Sequence, residues 1–124
     1  MEMTVIEESG VQAVEGAPGQ RFMATVRDVD RVIEACFEHR ATSALLYAAN
    51  LTDSFFDLSS GDAGAILQKL RNYHIRLAVV RTVDDRPMSS RFGEVVHEEQ
   101  RGGFFGVFET RDAAMKWLSA QHDS

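Results

Sequence analysis

Residues 44–80 read ALLYAANLTDSFFDLSSGDAGAILQKLRNYHIRLAVV. Two compact apolar runs, Ala44–Tyr47 and Ile75–Val80, bracket a segment in which Ala63, Ile66, Leu67 and Leu70 recur at helical spacing, with Gln68, Lys69 and Arg71 in outward or C-terminal positions. Nearly continuous apolarity, in place of strict alternation, is the pattern of strands covered on both faces. A strand, a helix and a second strand joined by short links predict a parallel pair with a right-handed crossover.

The same pattern extends outward in both directions. Downstream, Phe92, Val95 and Val96 predict a third helix, Gly103–Phe108 (GFFGVF) a further strand, and Thr110 a cap for a last helix carrying Ala114, Trp117 and Leu118. Upstream, Val29, Val32, Ile33, Cys36 and Phe37 form one helical face, with Asp30, Arg31, Glu34 and Glu38 opposite. Thr4–Glu8 and Val11–Glu15 are extended runs separated by Ser9-Gly10, a hairpin connection, and Gly16, Pro18 and Gly19 punctuate the loop that follows. The predicted order is ββαβαβαβα: one α/β domain over residues 1–124 with a mixed, mostly parallel sheet, an acidic hairpin and loop at 1–20 and a polar tail at 121–124.

Composition narrows the function classes. The 124 residues are 44% apolar and 26% charged, enough for a core that needs no disulfide or metal staple, and the lone Cys36 allows no intramolecular disulfide. Thirteen basic against nineteen acidic residues give a net charge of −6, which repels nucleic acid and anionic membranes. The longest stretch without Asp, Glu, Lys or Arg, Ala41–Thr52, is shorter than a membrane helix requires. Glu2, Glu7 and Glu8 near the N-terminus fit neither a signal nor a transit peptide, so a cytoplasmic location is expected.

The element order and the Ser59-Ser60-Gly61 opening of the second helix resemble STAS-type domains, whose best-known members are bacterial anti-sigma-factor antagonists. In that group a phosphorylatable serine precedes a glycine at this helix start, which places Ser60 in the switch position; Leu58 interrupts the Asp-Ser-Ser-Gly string of the group. The segment also resembles the bacterial family known as domain of unknown function 4180. The likeness rests on Phe55-Phe56-Asp57-Leu58, Ser60-Gly61, Ala63-Gly64, Ile66–Lys69, Tyr73, Leu77–Val80, Ser89-Ser90 and Gly102–Phe108, with Arg81-Thr82 departing from the pattern. The resemblance implies a fold and marks a loop; it implies no reaction.

Ser59 and Asp62 have capping-box spacing, which makes Ser59 the expected N-cap and leaves Ser60 either a switch or a bystander. Asp57, like Asp53, is expected to be a solvated or turn residue, with positioning of Ser60 as the alternative. His39, His74 and His97 fall near predicted helix C-termini, where the dipole favours imidazolium, and no metal-ligand spacing is present. Cys36 reads as a core thiol, Phe104, Phe105, Phe108 and Trp117 as core aromatics, and the glycine pairs lack a nucleotide-binding fingerprint.

The sequence therefore predicts a non-catalytic protein-interaction or signalling domain of bacterial origin, without metal or cofactor, switched at Ser60 through the surface of residues 50–62 and the second helix. The alternative is a small-ligand site beyond the carboxyl ends of the strands, with Asn50, Asp57, Ser59, Ser60, Asp62, Arg81, Asp84, Asp85 and Ser89 as its candidate surface and Arg81, Arg86 and Arg111 as cations for an anion, although no spacing selects one. An enzyme is the least supported class, because no nucleophile and base are paired in the sequence. The partner and the oligomeric state are left open.

Overall fold

The computed structural model describes residues 3–8, 10–82 and 88–122, with the backbone alone for Leu58 and His122. Its elements are β1 (Thr4–Glu8), β2 (Val11–Glu15), α1 (Val29–His39), β3 (Ser43–Tyr47), α2 (Asp62–Asn72), β4 (Arg76–Val80), α3 (Ser90–Arg101), β5 (Phe105–Phe108) and α4 (Arg111–His122). Short 3-10 turns at Val26–Asp28, Ala48–Asn50 and Leu58–Ser60 link them. The strands form one mixed five-stranded sheet in the order β1-β2-β3-β4-β5, antiparallel between β1 and β2 and parallel elsewhere.

This order dictates where the helices lie. Each parallel crossover steps to the next neighbour in the same direction, so crossovers of one hand place α1, α2 and α3 on one face. The cores agree. Val32, Ile33 and Cys36 of α1, Ile66 and Leu70 of α2, and Phe92 and Val96 of α3 pack with Val14, Ala44, Leu46, Leu77, Val79 and Phe105 of the sheet. The alternate residues Val11, Ala13, Leu45, Ala78 and Val80 point to the other face and pack with Ala114, Met115 and Leu118 of α4. Burying a side chain such as Leu118 contributes about 1.5–3 kcal/mol.

Three details depart from the sequence reading. Phe37 is 61% exposed: the sheet-facing stripe of α1 is Val29, Val32, Ile33 and Cys36, and Phe37 turns toward α2, where its ring meets Tyr73 edge-on at 5.4 Å. The second helix begins at Asp62, because Gly61 takes a left-handed backbone (φ 81°) between the 3-10 turn and the helix. Gln121 and His122 belong to α4, so the helix runs into the segment expected as a polar tail. Among the described residues no helix is long and apolar enough to cross a membrane.

Candidate functional site

The carboxyl end of β3 leads into an anchored loop. Asn50, fully buried, accepts from Tyr47 N–H through Oδ1 (2.7 Å) and donates through Nδ2 to the carbonyls of Ala17 (2.8 Å) and Gln20 (2.7 Å). Its own carbonyl accepts from Met23 N–H at 2.7 Å. Asn50 thus pins residues 17–23 to the end of β3 and presents no side-chain surface to solvent. Gly16 is held to glycine by the same contact, since a Cβ there would stand 2.3 Å from Asn50 Oδ1.

The chain next plunges into the core. Leu51, Phe55 and Phe56 are buried, and Phe55 packs against Phe56, Phe92 and Phe105 with ring centroids 5.1, 5.8 and 6.0 Å away. Thr52, also buried, donates its hydroxyl to Asp62 Oδ2 at 2.8 Å. Exposed Arg21 and Asp53 pair at 2.7 Å. Two phenylalanines in an otherwise polar segment were the available sequence signal that this loop is anchored, and the buried Thr52–Asp62 bond had none.

The serines act in an order opposite to the one predicted. Ser59 caps nothing: its N–H and its hydroxyl both donate to Asp57 Oδ1, at 3.1 and 2.6 Å. Ser60 Oγ lies 2.8 Å from the carbonyls of both Ser54 and Asp57, and accepts from Asp62 N–H, the first amide of α2, at 3.1 Å. The expected capping box of Ser59 and Asp62 fails because the left-handed Gly61 moves the helix start downstream and turns Asp62 toward Thr52. Ser60 is nevertheless an exposed residue, so the latch of the loop to the helix lies on an exposed side chain.

The neighbouring crossover brings α3 beside this loop. Ser89 caps α3, its Oγ accepting from Phe92 N–H at 3.1 Å. Asp57, Ser59, Ser89, Ser90 and Arg91 line an open cleft of about 350 Å³. Arg81 extends from the end of β4 with its guanidinium carbon 5.9 Å from the Phe56 ring centroid. Asp84, Asp85 and Arg86 lie outside the described residues.

The remaining candidates have structural roles. Arg111, expected to meet an anion, already holds its own: Nε reaches Glu15 Oε2 at 2.9 Å and Nη2 reaches Glu8 Oε2 at 2.7 Å. Tyr47 OH donates to the same Glu15 oxygen at 2.5 Å. Burial and that carboxylate push the Tyr47 phenol up to about 12, while the hydrogen bond and charge of Arg111 lower Glu8. Cys36 is buried beneath α1 and burial pushes its thiol up to about 12, far from a nucleophile's range. His39 closes α1, His74 follows α2, and α3 continues to Arg101 beyond His97. Among the described residues no group of three or more His, Cys, Asp or Glu side chains could hold a metal ion.

The family model described as a domain of unknown function, DUF4180, matches residues 8–118, from the end of β1 into α4. The chain belongs to the DUF4180 family. No curated protein and no solved structure matches it. In this DUF4180 chain the residues that carry the likeness converge on the anchored loop: Phe55 and Phe56 hold it in the core, Ser60 and Gly61 set the start of α2, and Ser89 starts the adjacent helix.

Proposed function

We infer that this chain is a non-catalytic protein-interaction domain with a STAS-like fold, acting in bacterial cytoplasmic signalling through the loop 51–62 and the first turns of α2, with Ser60 as its switch. The fold assignment is supported by the mixed sheet with its single antiparallel pair at the β1 edge and by three crossover helices on one face.

The observation that carries the switch is the position of the Ser60 hydroxyl. It is on an exposed residue, and it joins the carbonyls of Ser54 and Asp57 to the first amide of α2. Transfer of the γ-phosphoryl group of a nucleoside triphosphate to Oγ, releasing the nucleoside diphosphate and the hydroxyl proton, removes the donor and adds a charge of about −1.5 to −2. That charge meets the two carbonyl oxygens of Ser54 and Asp57, in a segment that also carries the Asp57 and Asp62 charges, while the amide end of α2 favours it. The loop then lifts or re-seats, and a partner reading residues 51–62 distinguishes the two states.

The test is affinity capture of a partner from bacterial lysate by the wild-type chain, followed by titration of that purified partner with Ser60→Ala and Ser60→Glu. Binding is retained by Ser60→Ala and weakened by Ser60→Glu; equal affinity for both removes the switch. A small-ligand site is the second reading, favoured by the cleft between Ser59 and Ser89, which the amide end of α3 and Arg91 line. A metabolite that raises the melting temperature of the wild type, and does so less with Arg91→Ala, selects that reading.

A further inference from the structure

The two edges of the sheet are treated differently. At β5 the helices of both faces meet around the edge: Gln100 of α3 stands 3.1 Å from where a Cβ on Gly106 would lie, and its carbonyl accepts from Trp117 Nε1 of α4 at 3.3 Å. At the other end, among the described residues, β1 pairs with β2 on one side and with no strand on the other. Its register runs regularly from Thr4 opposite Glu15 to Glu8 opposite Val11. An unbulged open edge of this kind is a template for a further strand.

The two faces beside this edge differ in chemistry. On the helical side α1 leans over β2 and β3, leaving Val5 37% exposed, and a groove of about 360 Å³ lies along α1, lined by Met3 just ahead of β1 and by Arg31, Glu34, Glu38 and His39 among others. Glu7 faces the same side, because its cross-strand partner Gln12 donates to the His39 carbonyl at the end of α1. Glu34 and Glu38 rise from α1 into the groove. All three glutamates are exposed and, among the described residues, form no ion pair. On the α4 side the edge carboxylate is already matched, since Glu8 is held by Arg111, and beside it stands apolar Ile6.

We propose that β1 accepts an extended segment of another protein as a sixth strand, and that this segment alternates basic and apolar residues. Its basic side chains lie on the helical side, where Glu7, Glu34 and Glu38 form no ion pair and Arg31, in the same groove, stacks on the Phe22 ring, and its apolar side chains extend the Ile6 surface on the α4 side. A second copy of this chain is disfavoured because each body carries a net charge of −6 and brings more carboxylates, not counterions, to the edge. This surface is separate from the Ser60 loop, and the proposal stands whether or not Ser60 is a switch.

The experiment titrates the full chain with a capped synthetic peptide of alternating lysine and valine, followed by fluorescence anisotropy and by amide hydrogen exchange. The peptide is expected to bind, to slow exchange in β1, and to lose affinity roughly tenfold against Glu7→Lys/Glu38→Lys, two surface changes that leave the core untouched. A control peptide with glutamate in place of lysine is expected not to bind. Equal binding of both peptides, or binding that leaves β1 exchange unchanged, overturns the proposal. So does β1 protection that grows with protein concentration alone alongside a sedimenting dimer, which would assign the edge to a second copy.

Discussion

Replacing Ser60 by alanine removes one hydroxyl that serves three backbone groups. Its single proton can satisfy only one of the Ser54 and Asp57 carbonyls at a time, and its lone pair satisfies the Asp62 amide at the start of α2. Loss of a helix-capping acceptor costs about 1 kcal/mol, and a donated bond at an exposed site adds about 0.5 kcal/mol. Ser60→Ala is therefore destabilising by about 1.5 kcal/mol. With an unfolding entropy of about 2.1 cal/mol/K per residue, that corresponds to a fall in Tm of roughly 6 °C for a chain of 124 residues. Ser59→Ala removes only a hydroxyl bond to Asp57, and the Ser59 N–H keeps the same carboxylate oxygen, so its cost is below about 0.5 kcal/mol. Chemical denaturation of wild type and both variants, with m-values held in common, measures the difference directly. A Ser59→Ala variant less stable than Ser60→Ala would refute the latch and restore Ser59 as the cap.

Cys36 is expected to resist a soluble maleimide in the native state and to label only as the chain unfolds, at a rate set by denaturant; labelling within minutes at neutral pH contradicts its burial. Glu8 and Asp28 are both lowered, by Arg111 and by the Thr25 and Ala24 amides respectively, so the stability they supply is full above their unfolded values of 4.5 and 3.8 and is lost as pH falls through the lower folded values. Arg111→Met removes the Glu8 share, which denaturation midpoints measured from pH 7 to pH 3 would read as a shallower acid decline. Tyr47 has the opposite sense, with stability falling from pH 10 toward 12 as the unfolded phenol ionises first; Tyr47→Phe abolishes that alkaline slope. Gly16→Ala drives a Cβ onto the Asn50 amide and is expected to cost about 1–3 kcal/mol by denaturation; an unchanged midpoint would mean that the Asn50 anchor is not tight.

The parts of the fold that were legible are those where burial alone sets composition. Leu45, Leu46, Ala78 and Val79 are covered on both faces of the sheet, so apolarity without alternation marked β3 and β4. Phe37 misled because its spacing suits a wider apolar stripe than α1 presents to the sheet, and only the position of Tyr73 explains where its ring goes. The start of α2 was misread because Ser59-x-x-Asp62 satisfies a capping pattern, while the positive φ of Gly61 is a backbone property that the letters do not display. The pairing of Arg111 with Glu8 and Glu15 spans 103 and 96 residues, a separation at which no local pattern operates. Asn50 was recognised as a polar residue in the right place, but its burial depends on the carbonyls of a loop thirty residues earlier.

The asymmetry of the two layers bears on how the chain is made. One face of the sheet is roofed progressively, as α1, α2 and α3 each follow a strand during synthesis. The other face, with Val11, Ala13, Leu45, Ala78 and Val80, waits for α4, which follows every strand of the sheet in the chain. A nascent chain halted before Arg111 carries strands from every part of the sheet with one side bare, the state in which chaperones meet exposed apolar surface. The second core is thus buried only once α4 has been made, and a chain truncated ahead of it would be marked for degradation by that face.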